Sequence, residues 1–281
     1  MCRLLILIGS TRRIVRYFKK LFEGLVKASY NDPYQSMLFP GDPGKHGDGW
    51  GILIQSLNLD KYDILYRSLK PIYSDSLKLI THLIDNLILK LDNASILIHS
   101  RAASTKMPKN IYSVQPFKLE SKLGYPLYLI HNGSIDKEAL YHDELESLID
   151  KRYLDIYSDS YFLARYIGFN TSSKIDIDVI KGLKKYVKSA LNIGLTLMLN
   201  DRLEILIGNY YKSLNKSREA RNYYKMYRVF DRDIAIYASS TIIDYYKPGL
   251  DLDWKEMKNG EFDIYYLDKN GITRIFNDVI F

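Results

Sequence analysis

Five consecutive apolar residues, Leu4 to Ile8, follow directly on Met-Cys-Arg, so burial begins where the polypeptide begins. An unbroken apolar run of that length reads as a strand buried in the core. Gly9-Ser10-Thr11 then supplies a turn and a cap for a helix over 11–29, whose Ile14, Val15, Phe18, Leu21, Phe22, Leu25 and Val26 recur at helical spacing. Residues 31–49 hold three prolines and four glycines and read as a loop able to form a lid. A strand over Trp50–Ser56, a hairpin connection at 58–61 and a helical period closing near Asp92 follow.

Two further apolar runs, at 94–100 and 124–134, end in polar residues and so deliver side chains to the ends of buried strands. Helical patterns cover 136–149, 158–168 and 176–191. From Gly194 the vocabulary becomes that of an antiparallel meander, with runs at 194–201, 202–211, 223–230 and 233–240, a tight turn at Asn200-Asp201, and a closing hairpin around Lys269-Asn270-Gly271. No repeat, low-complexity tract or long linker divides the chain. Two antiparallel sheets with helices outside them, an α+β architecture, fit this order better than alternating βα units.

Composition narrows the function. At 281 residues and 47% hydrophobic, the chain supplies a real core, which excludes disorder as the main state. A single cysteine rules out an internal disulfide framework and any zinc site needing several thiolates, and places the expected home in the reducing cytoplasm. No apolar run approaches the roughly 20 residues of a membrane span, and the opening segment lacks the features of an export signal. The net charge of +7 hints at anionic partners without demanding them.

The lone cysteine is residue 2. Removal of Met1 would put a thiol and a free α-amine on one residue, and an amine with an ordinary pKa of about 7.7–8.0 can serve as base for its own nucleophile. The plainer reading of a lone cysteine is a small buried apolar residue. After the strand at 94–100, Arg101 can grip a carboxylate through two hydrogen bonds while Ser104 adds a third, unless Arg101 is merely a surface arginine. Asn132-Gly133 is a common hairpin signal, but here it precedes a helical pattern, where the Asn amide and the Gly N–H can together receive a developing oxyanion.

The "HGDGWG" string at 46–51 allows close backbone approach at Gly49 and sets the Trp50 ring beside the loop. Asp159 can bind a substrate ammonium or simply cap a helix. Histidines do not cluster with acidic residues at metal spacing, and no nucleotide-binding glycine loop occurs, so neither metal nor cofactor is expected.

Taken together, Cys2, "HGDGWG" at 46–51, "HSRAAS" at 99–104, "HNG" at 131–133 and "SDS" at 158–160 resemble, in order and approximate spacing, the class II glutamine amidotransferases. The resemblance covers roughly the whole chain and implies a single type 2 amidotransferase domain over 1–281. The implied fold is a four-layer αββα N-terminal-nucleophile hydrolase sandwich of two antiparallel sheets between helical layers. It makes Cys2 the nucleophile and Asn132 and Gly133 the oxyanion hole. Arg101 and Ser104 become the clamp on the substrate carboxylate and Asp159 the partner of its ammonium, with Gly49 and Trp50 also on the substrate side. Thr105, Gln115-Pro116-Phe117 and Tyr161 depart from close relatives near the pocket.

The implied activity is hydrolysis of the γ-amide of glutamine to glutamate and ammonia through a thioester, with ammonia passed to a separate synthase subunit. A stand-alone amidase acting on another γ-glutamyl amide or peptide is the alternative within the family. A different class of reading is binding of nucleic acid or an acidic partner through residues 212–228, where six basic residues and a single acid interleave with Tyr223, Tyr224 and Tyr227. A solvated hairpin is the plainer account of that segment, and nucleic acid is not the expected partner. An inactive relative kept as a scaffold is disfavoured, since the nucleophile and both oxyanion donors are present.

Overall fold

The computed structural model describes residues 2–57, 62–75, 77–87, 90–104, 107–212, 218–246 and 249–281. Among these, one seven-stranded antiparallel sheet contains β1 (Arg3–Ser10), β2 (Trp50–Ser56), β3 (Tyr62–Ser68), β4 (Asn93–Ser100), β9 (Met226–Asp231), β10 (Ile234–Ser239) and β11 (Lys255–Glu256), in the order 11-9-10-1-4-2-3. A six-stranded sheet contains β5 (Phe117–Glu120), β6 (Pro126–Ile135), β7 (Val187–Met198), β8 (Leu203–Asn209), β12 (Glu261–Asp268) and β13 (Gly271–Val279), in the order 13-12-8-7-6-5.

The apolar run at the N-terminus becomes the central strand β1, bonded on one edge to β10 and on the other to β4. Successive side chains of a strand point to opposite faces. Leu5 and Leu7 therefore join a core with Ile14, Phe18, Leu21 and Leu25 of helix Thr11–Tyr30, while Leu4, Ile6 and Ile8 pack across the gap on Tyr128, Ile130, Ile205 and Ile207 of the second sheet. That sheet's other face, through Leu127, Leu129, Ile193 and Leu195, meets Phe162, Leu163 and Ile167 of helix Asp159–Asn170. The layers run helix, sheet, sheet, helix, as the resemblance implies.

Three sequence expectations change. The pattern over 176–191 is helical only as far as Gly182, then turns through a 3₁₀ segment at Leu183–Tyr186 into β7. Pairing of Val187 with Ile135 and of Leu191 with Gly133 extends that strand along β6, so sheet formation overrides local helical spacing. The 136–149 pattern gives only helix Lys137–Leu140 and a widened π turn at Tyr141–Leu145. The loop at 31–49 contains helix Pro33–Leu38, with Asp32 accepting from the Gln35 N–H and proline in the first turn. Turns at Asn200-Asp201 and Lys269-Asn270 connect antiparallel pairs as expected, whereas the 58–61 connection lies outside the described residues.

Candidate active site

Antiparallel pairing of β1 with β4 sets Arg3 opposite Ser100, so Cys2, one residue before β1, lies beside Arg101, one residue after β4. Pairing of β2 with β4 sets Trp50 opposite Ser100, which brings Gly49 to Arg101 as well, and the Arg101 N–H donates to the Gly49 carbonyl at 2.8 Å. β6 of the second sheet carries Asn132 to the same place. The Cys2 backbone nitrogen donates to Asn132 Oδ1 at 2.9 Å, and the Cys2 sulfur lies 4.0 Å from the Ala102 carbonyl oxygen.

These residues open on a cleft of about 420 Å³ lined by Cys2, Arg101, Ser104, Gly133 and Asp159, with Leu38, Phe39, Met107 and Tyr224 forming apolar wall. Asn132 itself is 1% exposed and bonds the cysteine from behind. Gly133 sits at a bulge in the β6–β7 pairing. A side chain there would place its Cβ 1.9 Å from the Ala190 carbonyl oxygen, so only glycine lets β7 come this close.

The charged groups in the cleft stand apart from any ion pair among the described residues. The buried Arg101 guanidinium donates to the carbonyls of Pro108 at 2.7 Å and Asp48 at 3.5 Å, and no carboxylate neutralises it. The nearby Asp48 carboxylate is taken by Lys109 at 2.7 Å and the Ala103 N–H at 2.8 Å. Asp159 is not a helix cap: it accepts from the Ile135 N–H at 3.0 Å and the Ser160 N–H at 2.8 Å, and no cation pairs with it. A cation and an anion held this way complement a zwitterion.

The supporting layer is histidine-rich. His131 contacts Ser160 Oγ at 2.9 Å and the Ala190 carbonyl at 3.1 Å. Gln115 clasps the same residue's backbone, accepting from its N–H at 2.5 Å and donating to its carbonyl at 3.3 Å, which fixes the strand just before Asn132. Burial holds His131 below the ordinary imidazole range against the opposing pull of Asp159. Burial also depresses His99, helped by the neighbouring Arg101 charge.

Directly behind Cys2, the fully buried Arg3 donates through Nε to Asp32 at 2.5 Å and through Nη1 to the Tyr223 carbonyl at 3.0 Å, its guanidinium lying over the Tyr223 ring. Asp32 also accepts from Thr241 at 2.9 Å and meets His46 Nε2 at 2.8 Å. Despite the cost of burial, Arg3 and His46 hold the Asp32 carboxyl well below the carboxylate range. Burial pushes His46 down to about 4, although Asp32 pulls the other way. Sequence reading missed Arg3 and Asp32; the available signal was a charge set flush against a five-residue buried run.

Trp50 is a correction. Its side chain, with no exposed surface, belongs to the outer core on the helix side, tilted against Phe22 and Tyr66, and its Nε1–H donates to Asp75 at 2.9 Å. It does not line the cleft. Gly49 contributes through its carbonyl to Arg101, in a backbone conformation at φ +105° that favours glycine. Thr105 lies outside the described residues.

Of the tyrosines in the basic 212–228 segment, two are buried and the third is half-buried. Tyr223 and Tyr224 are buried in helix Arg218–Tyr224, and Tyr227 donates to Asp244. Lys225 pairs with Asp244 and Glu256, and Arg228 with Glu261 and Asp263. Residues 213–217, Lys216 included, lie outside the described residues. No group of three or more metal-ligating side chains occurs among the described residues, and no helix there is long and apolar enough to cross a membrane.

No family model matches the sequence, and neither does any curated protein. Solved structures do match. The allosteric regulatory enzyme of purine biosynthesis superposes with a TM-score of 0.58 at 16% identity. Glutamine phosphoribosylpyrophosphate amidotransferase from B. subtilis, complexed with ADP and GMP, superposes with a TM-score of 0.55 at 15% identity. The chain shares the fold of these two proteins, two antiparallel sheets packed between helical layers. Each alignment covers 100% of this chain and 49% of the other, so the chain spans about half the length of these proteins. In this fold the start of β1, the end of β4 and the bulged end of β6 meet at one point, and the cleft described above lies there.

Proposed function

We propose that the chain is a glutamine amidotransferase-like amidase, cleaving the γ-amide of glutamine or of another γ-glutamyl compound through Cys2. Arg101 and Ser104 take the substrate α-carboxylate, Asp159 takes the α-ammonium, and the γ-carbonyl then points at the Cys2 sulfur. Removal of Met1 turns the Cys2 nitrogen into an amine at a position where it already donates to Asn132. That amine accepts the thiol proton as sulfur attacks the carbonyl carbon. Because Oδ1 of Asn132 is held by the Cys2 nitrogen, its NH₂ is left to donate to the oxyanion beside the Gly133 N–H.

Collapse of the tetrahedral intermediate breaks the C–N bond, and the leaving nitrogen departs with the proton held by the Cys2 amine. Water, deprotonated by the same amine, attacks the γ-glutamyl thioester, and glutamate leaves as the thiol is restored. The observation carrying this reading is the Cys2–Asn132 bond at 2.9 Å in a cleft that also presents a guanidinium and a carboxylate with no ion-pair partner among the described residues.

The apolar wall of Leu38, Phe39, Met107 and Tyr224 favours a second possibility at the same site: a leaving group larger than ammonia, as in a γ-glutamyl peptide or arylamide. Where ammonia is the product, a separate synthase subunit would use it, in a cytoplasmic setting. Comparing rates on glutamine, γ-glutamyl dipeptides and γ-glutamyl anilide, with glutamate release as the common readout, tests both. Glutamate from at least one of them supports the assignment. No release from any substrate by protein lacking Met1 would overturn it.

A further inference from the structure

A second hollow, an open groove of about 850 Å³, lies between β5 and helix Asp159–Asn170 and shares no lining residue with the Cys2 cleft. Its walls are mainly aromatic and cationic, with one carboxylate, the exposed Glu120. The Tyr157 and Tyr161 rings are stacked with centroids 3.9 Å apart at 19°, and Phe117 meets Tyr161 edge-on at 5.8 Å. The Arg165 guanidinium lies 4.4 Å from the centre of the Phe169 ring, and its Nε is buried without a hydrogen-bond partner. Arg67 makes one hydrogen bond, from Nη1 to the Val114 carbonyl at 3.2 Å.

Neither guanidinium has a carboxylate partner among the described residues, whereas the neighbouring Lys118 is committed to Asp63 at 3.1 Å. Both line the same groove as Tyr157, whose hydroxyl feels the charge of each. Burial holds Arg67 below its ordinary value, the mark of a cation lacking a compensating anion. Partly desolvated cations without counter-charge are costly, and here two of them face a ladder of flat rings.

We propose that this groove binds a phosphate monoester carrying a flat aromatic group, of about mononucleotide size. The ring stacks on the Tyr157–Tyr161 ladder, and the phosphate is forked between Arg67 and Arg165, whose planar donors match phosphate oxygens two at a time. Two guanidiniums lining one groove favour a dianion over a single carboxylate. Tyr157 and Tyr161 flank the Ser158-Asp159-Ser160 stretch that lines the Cys2 cleft, so the two sites share a backbone segment while their ligands remain separate.

Titration calorimetry of the full chain at low salt tests this independently of any amidase activity. Adenosine 5′-monophosphate and phenyl phosphate are the probes, with adenosine and inorganic phosphate as the two halves. The expected result is one equivalent of at least one monoester bound, each half binding about tenfold or more weakly. Arg67→Gln and Arg165→Gln should each weaken the monoester about tenfold with unchanged melting temperatures. Tyr161→Leu provides a second test on the ring side. Failure of both monoesters to bind, equal binding of phosphate alone, or affinity indifferent to both arginine substitutions would overturn the proposal.

Discussion

The backbone nitrogen of Cys2 donates to the side-chain oxygen of Asn132 at 2.9 Å, tying the first residue of the described chain to a strand 130 positions later. This single bond commits Oδ1 of Asn132 to the Cys2 nitrogen and, on the reading proposed above, leaves the Asn132 NH₂ to serve the reaction. If that NH₂ receives an oxyanion, its value lies in the transition state. Asn132→Ala is therefore expected to lower kcat by about 10²- to 10³-fold while KM stays nearly constant. Steady-state kinetics on glutamine distinguish this from a binding role, for which KM would rise with kcat little changed.

Asp32 holds Arg3, His46 and Thr241 together beneath Cys2. Asp32→Ala leaves the guanidinium of Arg3 buried and uncompensated, so unfolding free energy should fall by about 3–5 kcal/mol. Urea denaturation measures it. A loss below about 1 kcal/mol would mean that the buried pair is replaced easily by water or rearrangement.

Acid should destabilise the fold well before carboxylates titrate. His46, His99 and His131 all have folded-state pKa values below the ordinary 6.5, each chiefly through burial, and His46 reaches about 4. The unfolded chain then binds more protons than the native one between those values, so stability present above pH 6.5 is lost as pH falls toward 4. Each histidine kept neutral contributes a slope of up to about 1.4 kcal/mol per pH unit. Depression of Asp32 adds a loss of the same sign at still lower pH. Melting temperatures from pH 7.5 to 4.5 should decline, and His46→Gln should flatten the decline. A pH-independent profile would contradict these buried neutral histidines.

Trp50 faces the helix side of its sheet. Trp50→Phe should therefore lower stability by about 1–3 kcal/mol through the lost Asp75 bond and packing, and leave KM for the amide substrate unchanged. A raised KM at unchanged stability would return the ring to the substrate side.

The layered architecture was legible because β1 is apolar at every position from Leu4 to Ile8, and the later strands alternate around turn residues that local chemistry marks plainly. Several site motifs were legible for a related reason: Cys2 and Gly49 precede buried strands while Arg101 and Asn132-Gly133 come at the ends of others, and strand ends are where a sheet presents side chains. Trp50 was not, since β2 is apolar on both faces, and parity groups Trp50 with Ile52 and Ile54 without revealing which face meets the helices. Arg3 and Asp32 were hidden because their meaning lies in partners drawn from residues 46, 223 and 241, which no local pattern relates. The strand beginning at Val187 was obscured by helical spacing that long-range pairing with β6 overrides.

The central claim is that Cys2 carries both nucleophile and base. Intact mass and peptide mapping of the purified protein, before and after treatment with a glutamine-like diazoketone, test it most directly. The account predicts a chain lacking Met1 and one adduct, on Cys2, whose formation free glutamine slows. A chain that retains Met1, or an adduct on any other residue, would contradict it.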